Sequence, residues 1–414
     1  MRAIGVPAVC SGVAAASSII YFSLMGVVFG DVLLGKVILT ISEVAVIQII
    51  FIPQSWIYVL SSFSPAELRE RFSSGVNFEV VGGAAGLLVT ILYTVVIKDS
   101  GLIGASFYIA IYLSLWIAGL TAALGVVRYR EEWLKYSIWA LTPSSIRLVV
   151  MFLFSFDVLN TPDVEIENNQ VYLMLFAYFL PELVRFIVIY PALLLADYKK
   201  LDFEKHRVNL KHVLKNWLFD CGSVTLEVGD KIIIGYLFGP LILVPYYFAR
   251  RFSIVATMFL EPYFASRYQQ LSLGEDDLLL HKYWNTFFIA ILVSIVSAVL
   301  IGLFVTIAFQ VDFISEFIPA SIKSEMMFFI IVLFIDCMLA SNRWSRYVSQ
   351  VGRLSIHLLI GRVGIFILFA ILCSSKLFGG SWLSVVLPLT VLWGLDLILL
   401  IIILKVVSRK CSVN

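Results

Sequence analysis

GVPAVCSGVAAASSIIYFSLMGVVF, Gly5–Phe29, runs for 25 residues without one Asp, Glu, Lys, Arg or His. A helix needs about 20 mostly apolar residues to cross a bilayer, so this stretch is long enough to do so. It is too long for the apolar core of a signal peptide, and no cleavage site followed by a soluble domain comes after it. It reads as a first membrane span. Eleven more stretches of this kind follow, at 37–60, 76–97, 102–127, 133–156, 170–196, 213–238, 241–264, 284–309, 325–342, 356–375 and 382–406. The composition agrees, with 61% hydrophobic and 14% charged residues and a mean hydropathy of +0.97. Soluble domains sit nearer half apolar and a quarter charged. The predicted class is therefore all-α, a polytopic membrane protein of about twelve helices in two six-helix bundles around a central cavity.

The loops alternate in charge. With both termini in the cytoplasm, and with Lys135, Lys215 and Lys405 at span ends counted to that side, cytoplasmic segments hold 20 of the 30 Lys and Arg, the opposite side holds 4 (Lys36, Lys98, Lys323, Lys376), and 6 lie deeper inside spans. Positive charge collects on the cytoplasmic side, which sets the orientation expected for a multi-pass protein. The loop from Asp157 to Gln170 is acidic and falls outside. No loop exceeds about 20 residues, too few for a folded soluble domain. No catalytic residue, metal site or cofactor is expected, and nothing points to a nucleic-acid partner. The four histidines lack metal-ligand spacing, and the five cysteines form no CxxC pair.

A repeat is present at an offset of 209. Phe29-Gly30 closes span one as Phe238-Gly239 closes span seven, Pro53 matches Pro262, Leu34 matches Leu243 and Val46 matches Val255. Six spans per half keep both halves in the same orientation, so parallel repeats are expected. The predicted division is 1–196 for the first bundle, 197–212 for a basic linker, and 213–414 for the second bundle with its tail. Prolines inside spans, Pro53 and Pro262 among them, are candidate bends because each removes a backbone donor.

Charges inside spans carry the functional reading, since each costs at least about 2.5–3.5 kcal/mol at mid-bilayer. Span six puts Glu182 and Arg185 three apart, a spacing at which they can pair. Arg147 of span five needs a partner or a wet cavity. Asp220, Glu227 and Lys231 recur down one face of span seven, with Asp230 beside Lys231, and Arg250 and Arg251 follow in span eight. Arginine binds phosphate or carboxylate bidentately. Arg147, Arg185, Lys231, Arg250 and Arg251 are therefore candidates for contacting an anionic head group. Glu43, Glu79, Glu227 and Asp230 are candidates for ion coupling as carboxylates inside spans, and Glu43 and Glu79 have no cation near them in span sequence. Gly30-x4-Gly35-Lys36 copies the spacing of a phosphate-binding loop but lacks the Ser or Thr that must follow and any preceding strand. It is set aside.

Gly229-Asp-Lys-Ile-Ile-Ile-Gly-Tyr-Leu-Phe-Gly-Pro followed by Tyr246-Tyr-Phe-Ala-Arg-Arg resembles the seventh span and entry to the eighth in the lipid-linked oligosaccharide flippases. These form the polysaccharide (O-antigen type) branch of the multidrug/oligosaccharidyl-lipid/polysaccharide exporter superfamily. Pro53-Gln-Ser-Trp and Glu67-Leu-Arg-Glu-Arg-Phe resemble that family's second-to-third span connection, and Pro245 departs from a position more often Gly. The resemblance implies movement of a polyprenyl-pyrophosphate-linked oligosaccharide across a bacterial inner membrane for O-antigen, lipopolysaccharide, capsule or exopolysaccharide biosynthesis. It implies coupling to a proton or sodium ion, membrane lipid as surroundings, and a glycan polymerase and chain-length regulator as partners. Two alternatives stay open: a multidrug/cation antiporter of the same superfamily, and an integral-membrane glycan polymerase or ligase. Abundant intramembrane Arg weighs against the first, and the lack of a long outer loop against the second.

Overall fold

The computed structural model describes residues 2–53, 55–60, 62, 64–98, 102–130, 132–160, 180–184, 186–187, 198, 213, 217, 228–260, 263–264, 267, 279–311, 316, 318–345, 348, 355–375 and 381–411. Every regular element among them is helical. In chain order they are α1 (Arg2–Phe29), α2 (Asp31–Phe51), α3 (Trp56–Leu60), α4 (Pro65–Leu92), a π-helical turn (Tyr93–Ile97), α5 (Leu102–Ala118), α6 (Ala122–Tyr129) and α7 (Trp133–Asn160). Residues 228–238 are helical. Then come α8 (Pro240–Ala256), α9 (Leu279–Ala308), α10 (Ala320–Ser324), α11 (Met326–Ser341), α12 (Ser355–Ser374) and α13 (Leu383–Cys411). Eight helical segments among the described residues are long and apolar enough to span a bilayer. The polytopic all-α class follows from them. Most of predicted spans six and seven, the 197–212 linker and Pro262 lie outside the described residues.

The predicted edges shift where local chemistry acts. Span three extends back to Pro65, because Ser64 accepts the Glu67 N–H at 3.2 Å and Pro65 occupies the first turn. Two predicted spans are each interrupted. Span two breaks at 52–55 into α2 and α3, and span four breaks at 119–121 into α5 and α6. Pro53 accounts for the first break. It has no N–H to give the Ile49 carbonyl, which accepts the Trp217 indole N–H at 3.1 Å instead. Pro143, Pro245 and Pro388 lie inside helices that continue through them.

The chain forms two compact units, Thr40–Cys221 and Met1–Leu39 with Gly222–Asn414. In the first, Val44, Ile52, Ile111 and Tyr112 form a buried core. α4 lies close against α2 and α5, since a Cβ on Gly82 would strike the Phe51 carbonyl and one on Gly83 the Trp116 ring. In the second unit, α8 packs on α1 and α11, and α12 on α13. That unit also contains both glycine corners of the repeat. Gly30 and Gly239 each have φ of +81°, a left-handed conformation that favours glycine. Their hydrogen bonds correspond: Gly30 N–H to Gly26 O at 2.9 Å and Leu34 N–H to Gly30 O at 3.1 Å, against Gly239 N–H to Gly235 O and Leu243 N–H to Gly239 O, both at 3.2 Å. All three partners keep the 209-residue offset.

Candidate functional site

Tyr246, Arg250 and Ser253 recur at intervals of four and three along α8, which places them on one face. That face meets Asp230 of the 228–238 helix and Asp336 of α11. The Arg250 Nε lies 2.9 Å from Asp336 Oδ1, and its Nη1 pairs with Asp230 Oδ2. The Tyr246 hydroxyl donates to Asp230 Oδ2 at 2.5 Å and accepts from Arg250 Nη1 at 3.1 Å. The Ser253 hydroxyl donates to Asp336 Oδ2, and the Lys231 backbone N–H to Asp230 Oδ1 at 2.6 Å. Asp230 is 2% exposed, Asp336 4% and Arg250 9%. Among the described residues Arg250 is the cation paired with both acids, so the buried set holds two carboxylates and one guanidinium.

The other predicted site residues fall elsewhere. Arg147 is not alone: its Nη2 donates to Glu182 Oε1 at 2.9 Å, so the acid expected to pair with Arg185 reaches α7. Arg185 and Glu227 lie outside the described residues. The Arg251 Nε donates to the Tyr247 hydroxyl at 2.9 Å, and its guanidinium covers that ring at 4.9 Å. Arg362 lies between the Asp396 carboxylate, at 3.1 Å, and the Ser345 hydroxyl, at 3.0 Å. It is 4% exposed, which makes it a buried ion pair rather than a side chain reaching for the membrane surface. Glu43 does have a cation. Lys98 Nζ is 2.8 Å from its Oε1, and the Tyr108 hydroxyl donates to Oε2 at 2.7 Å.

Glu79 is fully buried, and no ion pair to it is formed among the described residues. Its Oε1 accepts the Ser55 N–H at 3.1 Å, the Thr121 hydroxyl at 2.9 Å and the Ala122 N–H at 3.0 Å, while Oε2 accepts the same Ala122 N–H at 3.2 Å. Donated hydrogen bonds stabilise a buried carboxylate in place of a counter-charge.

Sequence reasoning missed Asp336, Tyr246, Ser253 and Lys98 as site residues. The spacing of Tyr246, Arg250 and Ser253 on one helix face was a usable signal. Asp336, alone within an apolar span, was another. The contact between them joins residues 86 positions apart, and no local pattern encodes that.

No protein-family model matches the chain, and no curated protein does. Solved structures do. A multidrug resistance MATE family transporter of the MOP superfamily matches in its inward-facing conformation at a TM-score of 0.64 and 12% identity, covering 99% of this chain and 98% of that one. The outward-facing conformation of such a transporter matches at 0.62 and 12%, with 98% and 96% covered. The eukaryotic MATE transporter AtDTX14 matches at 0.59 and 12%, with 99% and 97% covered. The chain is similar in fold to these transporters.

Proposed function

We propose that this chain is a secondary transporter that exchanges its cargo against a cation gradient, with Asp230, Arg250 and Asp336 as the cation-sensing set. One observation carries the reading: two buried carboxylates share one guanidinium within a MATE fold. A buried carboxylate without its own counter-charge costs several kcal/mol, roughly. A proton or sodium ion bound there removes the surplus charge. Binding and release of that ion then bias the packing of α8 against α11 and the 228–238 helix. The 20-to-4 loop charge asymmetry supports both termini in the cytoplasm, and the flippase resemblance implies a bacterial inner membrane. The six-plus-six division into 1–196 and 213–414 belongs to the same reading and is supported by the matching corners at Gly30 and Gly239.

Export of cationic drugs is the cargo best supported by the geometry. The case for an anionic cargo rested on intramembrane cations, and two of those candidates, Arg147 and Arg250, are held by carboxylates. The neighbouring multidrug transporters supply the corresponding fold precedent. A second reading, translocation of a polyprenyl-pyrophosphate-linked oligosaccharide, is favoured by the sequence from Gly229 to Pro240 and from Tyr246 to Arg251, which contributes Asp230, Tyr246 and Arg250 to the buried set. On that reading Arg251 and Lys231, at the edge of the set, face the head group, and a glycan polymerase acts downstream.

Proteoliposomes with an imposed proton or sodium gradient test the coupling. Uptake of a fluorescent organic cation should follow the gradient and be lost in Asp336→Asn. Uptake indifferent to both gradients would remove the coupling. Expression in a strain lacking its glycan-lipid flippase separates the cargoes: restored surface glycan without drug resistance assigns the second.

A further inference from the structure

Two membrane helices break at places 67 residues apart in sequence, and one side chain receives the freed backbone donors of both. In an unbroken helix the Ser55 N–H would bond the Phe51 carbonyl and the Ala122 N–H the Ala118 carbonyl. Both instead donate to Glu79 of α4, at 3.1 and 3.0 Å. Before the second break the chain tightens, with Leu120 N–H on Ile117 O at 3.3 Å and Thr121 N–H on Gly119 O at 2.8 Å.

The segments beyond the breaks, α3 and α6, pack on each other. A Cβ on Gly125 would meet Val59 Cβ at 2.7 Å and the Trp56 carbonyl at 2.8 Å. The Arg128 guanidinium covers the Trp56 ring at 4.6 Å. Val59, Ala122, Ala123, Val126 and Val127 are buried between them. Both segments rest on α4, where a Cβ on Gly75 would meet Ser55 Cβ at 2.8 Å and Ala122 Cβ at 3.3 Å.

We infer that Glu79 is a positioning residue that couples the two breaks, so that α3 and α6 shift on α4 as one body and neither break opens without the other. The carboxylate supplies the acceptors that both interruptions removed. An N–H released from it has no helical carbonyl to return to unless its own helix closes. Closing one helix changes the seat of the other through the shared α3–α6 contact. This role does not depend on the transported cargo and stands whether or not the transport reading holds.

Hydrogen exchange read by mass spectrometry on the full chain in lipid nanodiscs tests the coupling. In Glu79→Gln one oxygen is replaced by an amide that cannot accept. Exchange should then rise together, by about tenfold or more, in peptides covering 52–58 and 119–125, with peptides of α5 and α7 unchanged. In Thr121→Val, which removes one side-chain donor and leaves the backbone bonds, both peptides should rise together by less. Acceleration in one segment alone, in neither, or across the whole Thr40–Cys221 unit would overturn the inference.

Discussion

Arg250 stands between two acids, and removing either side of that arrangement has unequal consequences. Arg250→Gln leaves Asp230 and Asp336 buried without the cation that pairs with both among the described residues, a loss expected to cost about 3–5 kcal/mol. Asp336→Asn leaves a one-to-one pair of Arg250 with Asp230, and the Ser253 hydroxyl keeps an oxygen to donate to. Thermal unfolding in detergent should therefore show a large drop for Arg250→Gln and a small one for Asp336→Asn. Gradient-driven uptake should fail in both. Equal destabilisation would mean that the second carboxylate is not in surplus. At this scale the sequence marked which charges matter, because a charge in an apolar span is conspicuous. It did not mark their partners. Arg147 and Glu182 lie on different predicted spans, and Glu43 meets a lysine 55 residues away that reads as part of a loop.

Helices were legible in the chain, and their interruptions only in part. Pro53 announces the first break, since proline cannot donate within a helix. Gly119-Leu120-Thr121 carries no such sign and reads as a continuation of an apolar span. That break depends on Glu79, which arrives from another helix. The glycine corners are the opposite case: a sequence coincidence at Phe29-Gly30 and Phe238-Gly239 proves to be a shared backbone geometry. A Cβ on either glycine would meet no atom within 4 Å, so alanine there is opposed by the left-handed backbone alone. Gly30→Ala and Gly239→Ala should each cost about 1–3 kcal/mol, and the two losses should agree closely. Thermal midpoints of the two variants provide the measurement, and a loss at one corner only would break the equivalence.

For the whole molecule, polytopic architecture was readable from run lengths, because a bilayer demands about 20 apolar residues per crossing whatever the tertiary fold. Packing between helices distant in sequence was not readable. The compact unit holding α8 to α13 also takes in α1 and the first part of α2, which sit far away in sequence. That association rests on packing such as α1 against α8 and on the Ser321 N–H donated to Asp31 at 2.6 Å, neither of which has a local signature. Orientation depends on the membrane rather than on packing, and the basic loops argue for it independently. Ser64, just before α4, and Arg130, just past α6, are exposed and fall in basic segments of the sequence, whereas Asp163 falls in the acidic 157–170 segment. In a background with all five native cysteines replaced by serine, single cysteines at these three positions can be probed on intact spheroplasts with a membrane-impermeant maleimide. Asp163→Cys should label at once, and Ser64→Cys and Arg130→Cys only after permeabilisation. The reverse pattern would place both termini outside and turn the proposed direction of transport around.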